Sequence, residues 1–213
     1  MMSNRTRTET VFARAIAEHL EVIGQIQSRQ PDLESIAKAM SAALRRGGKI
    51  LWCGNGGSAA DSQHLAAEMV GRFRRERRAL PSIALTTDTS ILTAVANDYG
   101  YEAVFARQVE ALGNEGDLLV AMSTSGNSQN VICALTAARA RGMVTVALTG
   151  AGGGRMATLA DHLFAVESRD TARIQEAHIL AGHMLCDWVE QDSLQAEPQG
   201  QDAAGPERAE VSR

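Results

Sequence analysis

Five short apolar runs, each between helical patterns, constrain this chain more than any other feature. KILWCG (49–54), PSIALTT (81–87), DLLVAMS (117–123), MVTVALTG (143–150) and HLFAVES (162–168) have the length and β-branched content of buried strands. Strands without polar alternation are covered on both faces, and strands alternating with helices form a parallel sheet. The expected fold is α/β, a five-stranded parallel sheet flanked by helices, doubly wound, with flavodoxin-like topology. Two helices precede the first strand. Residues 9–28 set Phe12, Ile16, Leu20, Ile23 and Ile26 at helical spacing, and Pro31 opens a second helix that closes near Leu44 before Gly47-Gly48. Further helices are expected from the glycine turn to Val70, from Asp88 to Asn97-Asp98, over 101–112, over 129–141 and from Thr171 to about Gln191. Residues 1–191 read as one domain with a helical N-terminal extension. Residues 192–213 lack apolar periodicity and read as a disordered tail.

The bulk numbers exclude several classes. With 213 residues, 45% of them hydrophobic, one core is affordable, and a net charge of −4 gives no reason to expect nucleic acid or membrane as partner. The opening MMSNRTRTET has no apolar signal region, and no apolar run reaches the ~20 residues of a membrane span. Cys53, Cys133 and Cys186 form no CxxC pair and read as buried thiols of a reducing compartment. These features point to a soluble cytoplasmic protein.

In an open parallel sheet, ligands bind where the strand order reverses, at the carboxyl ends of the strands. Two turns suit that place. GNGGS, with Asn55, Gly56 and Gly57, follows the first strand, and STSGNS, with Ser123, Thr124, Ser125 and Ser128, follows the third. Each opens a helix whose N-terminal amides favour an anion, and the second is a neutral, hydroxyl-rich cradle sized for one phosphate. The sequence has neither GxxxxGK[ST] nor GxGxxG, so neither a P-loop nor a dinucleotide fingerprint is present. A plainer reading takes such clusters as turns and helix caps, but two of them after buried strands favour a ligand.

His64 and Glu68, four residues apart, share one helical face with side-chain origins about 6 Å apart, which suits a joint site or a surface ion pair. On the last helix, Gln175 and His183 lie about 80° apart around the axis, so they can converge, whereas His178 and His183 diverge by about 140°. The run RFRRERR (72–78) reads either as a solvated loop or as a collar that draws an anion.

CGNGGSAA, STSGNS, RIQEAHILAGH and the stretch PSIALTTDTSILTAVANDYG together resemble the sugar isomerase (SIS) domain, specifically the phosphoheptose isomerases, over residues 10–191. The resemblance implies conversion of sedoheptulose 7-phosphate to D-glycero-D-manno-heptose 7-phosphate through an enediolate, the first step toward ADP-heptose and lipopolysaccharide core. It implies Glu68 as catalytic base and His183 as its acid/base partner, and one Zn²⁺ per subunit held by His64, Glu68, Gln175 and His183. It places Asn97 and Asp98 on the sugar hydroxyls, although an ND pair also simply ends helices, and it implies a homotetramer with sites at subunit interfaces. Some relatives carry an aspartate just before RIQE, where this chain has Ala172. The alternative within the same fold is a non-enzymatic tetramer of the DnaA initiator-associating type. That type lacks counterparts of Glu68 and His183, and this chain has both. A third reading, a sugar-phosphate sensor without turnover, would belong with a fused DNA-binding module, which this sequence does not carry.

Overall fold

The computed structural model describes residues 4–196, with side chains from residue 10 to residue 195. Helix α1 (Asn4–Ile26) passes through a 3₁₀ turn into α2 (Gln30–Arg45). The alternating part follows: β1 (Ile50–Gly54), α3 (Gly57–Val70), β2 (Ser82–Ala84), α4 (Thr89–Tyr99), α5 (Ala106–Leu112), β3 (Leu118–Ser123), α6 (Gln129–Ala140), β4 (Val144–Thr149), β5 (His162–Ala165) and α7 (Thr171–Ala196). All strand pairs are parallel, in the order β2-β1-β3-β4-β5. This is the flavodoxin-like order, and its switch point lies between β1 and β3.

Successive side chains of a strand point to opposite faces, and β1 divides its residues accordingly. Ile50 and Trp52 join the core beneath α2, α3 and α7, while Leu51 and Cys53 join the core beneath α5 and α6. Trp52 is fully buried, and its indole N–H donates to Ser82 Oγ at 2.8 Å. Register brings Gly54 level with Met122 and Ser123 level with Thr149. The turns after β1, β3 and β4 therefore leave the sheet along one edge. At the other edge the buried Asp117 accepts from the Lys49 and Asn114 amides and pairs with Lys49 Nζ, tying β1 to β3.

Three boundaries and one burial differ from expectation. Only Ser82–Ala84 of 81–87 pair as a strand, at the edge beside β1. The expected helix over 101–112 divides into a 3₁₀ turn at Tyr101–Ala103 and α5. Helix α7 continues to Ala196, past the Gln191 limit, and Asp192 within this extension pairs with Arg45 of α2; the rest of the expected tail lies outside the described residues. Cys133 is only partly buried, while burial pushes the Cys53 and Cys186 thiols up to about 12. No helix is long and apolar enough to cross a membrane among the described residues.

His178 lies under the sheet edge. It is fully buried, its Nε2 sits 3.0 Å from the Thr149 carbonyl, and Nδ1 has no partner. Burial lowers its pKa from 6.5 to about 4, opposed by the Thr149 hydrogen bond. Below pH 6.5 the unfolded chain takes up a proton that the folded ring refuses, so acidification from 6.5 to 4 should cost about 3 kcal/mol. Urea midpoints of the full chain should fall across that window, and the fall should shrink in His178→Gln. An equal slope in both proteins would assign acid lability elsewhere.

Candidate active site at the switch point

Two glycines set how closely α3 and α7 cross. A Cβ on Gly182 would lie 2.5 Å from Leu65 Cδ1, and one on Gly57 would lie 2.5 Å from Gln175 Nε2. These contacts flank the ionisable groups in sequence, because Gly182 precedes His183 and Leu65 follows His64. The result is a direct meeting of the two rings. His64 Nε2 stands 2.9 Å from His183 Nε2, with the rings edge to face at 5.1 Å between centroids, and His64 Nε2 is 3.5 Å from Glu68 Oε1. The His64–Glu68 surface-pair reading is thus incomplete, since His183 joins it from another helix of the same chain. Burial lowers the pKa of His183, the His64 ring adds to the lowering, and Glu68 opposes it.

Gln175 lies against the start of α3, as the Gly57 approach requires. Asn97 and Asp98, in contrast, are exposed at the end of α4 and hydrogen-bond to each other, with Asn97 Nδ2 donating to Asp98 Oδ1 at 2.8 Å. The structure does not join them to His64, Glu68 or His183. Ala172, in the first turn of α7, is exposed.

The serine turn is more than a cap. Ser128 is the N-cap of α6, yet its hydroxyl makes no capping bond. It faces Ser123 Oγ at 2.9 Å, and Ser125 Oγ lies 3.3 Å from the same atom. Three hydroxyls aimed at one another instead of at the helix amides leave a donor cluster for an anion. Thr124 contributes through its backbone, accepting the Gly150 amide at 3.0 Å.

Three residues unnoticed in the sequence hold this cradle. Asn130, buried on α6, exchanges two amide bonds with Asn55, at 2.9 and 2.8 Å, so the two turns are clasped across the switch point. Tyr101 adds its hydroxyl to Asn55 Oδ1 at 3.0 Å. Asn127 accepts the Arg155 amide and donates to the Ser125 carbonyl, binding the serine turn to the glycine link after β4. The only hint was Asn in a turn, which local turn chemistry already explains.

The donor set can be tested against a divalent ion. Two imidazole nitrogens, a carboxylate and an amide oxygen are suitable donors, and a tetrahedral zinc ion would hold neighbouring donors roughly 3.4 Å apart. The observed His64–His183 and His64–Glu68 separations, 2.9 and 3.5 Å, are near that edge. Among the described residues no three His, Cys, Asp or Glu side chains are already gathered around one point. The set therefore matches an ion in donor type and in two of its spacings.

The SIS domain family matches residues 12–150, a span that holds the glycine turn, the serine turn, His64 and Glu68 and ends before Gln175 and His183. Among curated relatives, the phosphoheptose isomerase of Roseiflexus sp. (strain RS-1) is 59% identical over 165 residues, 78% of this chain and 84% of the relative. That of Aliarcobacter butzleri is 56% identical over 185 residues, 86% and 98% of the two chains. The chain belongs to the phosphoheptose isomerase family. Solved structures agree: the enzyme from Neisseria gonorrhoeae superposes with a TM-score of 0.79 at 47% identity, and that from Francisella tularensis with 0.81 at 39%, each covering 89% of this chain and 100% of the other.

Gly126 adopts φ +64°, and a Cβ there would lie 2.1 Å from the Gly153 carbonyl oxygen. Gly56 has φ +56° with open space around it. With ψ −120° Gly56 lies outside the left-handed helical region, so Gly56→Ala should cost only the backbone penalty, about 1–3 kcal/mol. Gly126→Ala should cost clearly more, because backbone cannot yield as a side chain can. Thermal unfolding of both variants checks the order, which the reverse ranking would refute.

Proposed function

We propose that this chain isomerises sedoheptulose 7-phosphate to D-glycero-D-manno-heptose 7-phosphate, supplying the heptose of lipopolysaccharide core in the cytoplasm. The observation that carries the reading is the meeting of His183 on α7 with His64 on α3, which also faces Glu68. A binding scaffold has no need to bring an imidazole from one helix against a second ring and a carboxylate on another.

The reaction moves two protons. Ser123, Ser125 and Ser128 hold the phosphate, with the Asn55–Asn130 clasp keeping the glycine turn in register beside them. Glu68 removes a proton from the terminal carbon beside the carbonyl and returns it to the former carbonyl carbon. His183, held toward its neutral form by burial, carries the terminal hydroxyl proton to the oxygen of the former carbonyl. Gln175 and the amides of Gly56 and Gly57 orient the sugar chain, and Asn97 and Asp98 meet its hydroxyls when the substrate is bound. His64, Glu68, Gln175 and His183 would hold one Zn²⁺ per subunit. When bound, that ion supplies Lewis-acid stabilisation of the enediolate oxygen.

The assembly we propose is a homotetramer. On α1, Phe12, Ile16 and Leu20 are more than 60% exposed at four-residue spacing, an apolar stripe that a single chain leaves in water. A groove of about 400 Å³ between α1, α2 and α7, lined by Ile23, Leu33, Met184 and Trp188, continues it.

Turnover of sedoheptulose 7-phosphate, followed by NMR of the aldose product, tests the reaction. Glu68→Gln and His183→Gln should each lose at least ~100-fold in kcat. Ser125→Ala should raise KM more than it lowers kcat, because phosphate is held equally in ground and transition states. Wild-type protein inert with and without zinc would refute the enzyme reading. For the ion, added Zn²⁺ should raise the melting temperature of the wild type and not of His64→Gln, and elemental analysis should find about one per chain. Equal shifts in both proteins would remove the metal from this site.

A further inference from the structure

The arginine run is not a free loop. Glu190 on α7 is completely buried, and its carboxylate accepts the backbone N–H groups of Phe73, Arg74 and Arg75 at 2.8, 2.9 and 2.9 Å. The guanidinium Nε of Arg77, whose side chain is almost fully buried, lies 3.4 Å from the same carboxylate. A buried carboxylate loses several kcal/mol of hydration and persists only where such partners replace the water. Three amides in a row, turned inward onto one side chain, form a nest that fixes the path of residues 71–78.

That path ends on both groups assigned to proton transfer. Phe73 stacks on the His183 ring, 5.4 Å between centroids and 22° from parallel. His183 is thereby bounded by Phe73 on its face and by His64 at its edge. Arg77 donates to the Glu68 carbonyl at 2.8 Å and to the Gly71 carbonyl at 3.1 Å, satisfying the C-terminal end of the helix that carries Glu68. Glu190 and His183 are seven residues apart on α7, two turns and about 20° around the axis, so one helix face carries both the ring and its anchor.

We propose that Glu190 is a positioning residue: by holding the amides of residues 73–75 it sets the Phe73 ring that orients the His183 imidazole, and through Arg77 it steadies the helix end beneath Glu68. The proposal rests on the isomerase reading for its catalytic consequence, but not for its geometry.

Glu190→Gln keeps the shape of the side chain and sets an amide group, itself a donor, against backbone donors. Phe73→Leu keeps apolar volume and removes the aromatic face. In each, kcat for the sugar phosphate should fall about tenfold or more while KM stays within about twofold, since the serine cradle is untouched. Asp187→Asn is the control. Asp187 pairs with the exposed side chains of Arg74 and Arg75, the second of which also lies 3.7 Å from Glu190, and accepts from Gln191; it touches none of the nest amides, so kcat should stay within about twofold. The second readout needs no substrate. In full-length protein labelled with ring-¹³C histidine, and with the His183 signals assigned through His183→Gln, stacking on Phe73 should shift those signals. Both Glu190→Gln and Phe73→Leu should abolish that shift.

Folded Glu190→Gln with wild-type kcat and unmoved His183 signals would overturn the proposal. So would a loss of kcat in Asp187→Asn equal to that in Glu190→Gln, which would credit the surface ion pairs instead. If Glu190→Gln does not fold, Phe73→Leu decides: an unchanged His183 signal there refutes the stacking, and a shifted signal with reduced kcat supports it. Absence of turnover in the wild type would strike the isomerase reading alone, because the ring signals judge the positioning independently.

Discussion

The close crossing of α3 and α7 is the constraint on which the site depends. Gly182 seats against Leu65 and Gly57 against Gln175, so a Cβ at either position would push the neighbouring side chain out of its place. A glycine inside a helix costs roughly 0.5–1 kcal/mol relative to alanine. Full burial of a leucine such as Leu65 contributes about 1.5–3 kcal/mol, so the close packing outweighs the loss of helix propensity. What the crossing achieves chemically is larger still. It brings His64 and His183, 119 residues apart, into direct contact.

The remaining elements hold that contact from below and from the side. The sheet fixes the vertical position, because register aligns the ends of β1, β3 and β4 and so delivers three glycine-rich turns to one edge. The Asn55–Asn130 exchange then joins the first two turns, and Gly126 and Gly153 lock the second to the third at a separation open only to glycine. From the other side, the Glu190 nest folds the arginine loop onto α7 and sets Phe73 on the imidazole. Rigidity of this kind is what proton transfer needs, since donor and acceptor must meet within hydrogen-bond reach without a search.

How much was legible in the sequence varies with the range of the forces involved. The five strands were visible because burial on both faces leaves continuous apolar runs, and the serine turn because its composition is unusual for a cap. The shortness of β2 was not, since PSIALTT reads as a full strand and only its place at the sheet edge limits its pairing. Asn130 and Tyr101 looked like ordinary helix and turn residues. No pattern in the sequence singled out Glu190. Each acquires its role from a partner at least 46 residues away.

By itself the sequence determined the elements, the parallel order of layers and the residue types at the site: periodicity and turn chemistry act over a few residues and are written in the chain. Through its resemblance to known relatives it also indicated which ionisable groups would matter. Only the tertiary structure decided that His183 meets His64 within one chain, that Ser128 turns its hydroxyl away from its own helix, and that one buried carboxylate gathers the amides of residues 73–75 and the Arg77 guanidinium. Those outcomes depend on distances between elements, and such distances follow from side-chain volumes packed against each other across the sheet, which no local pattern encodes.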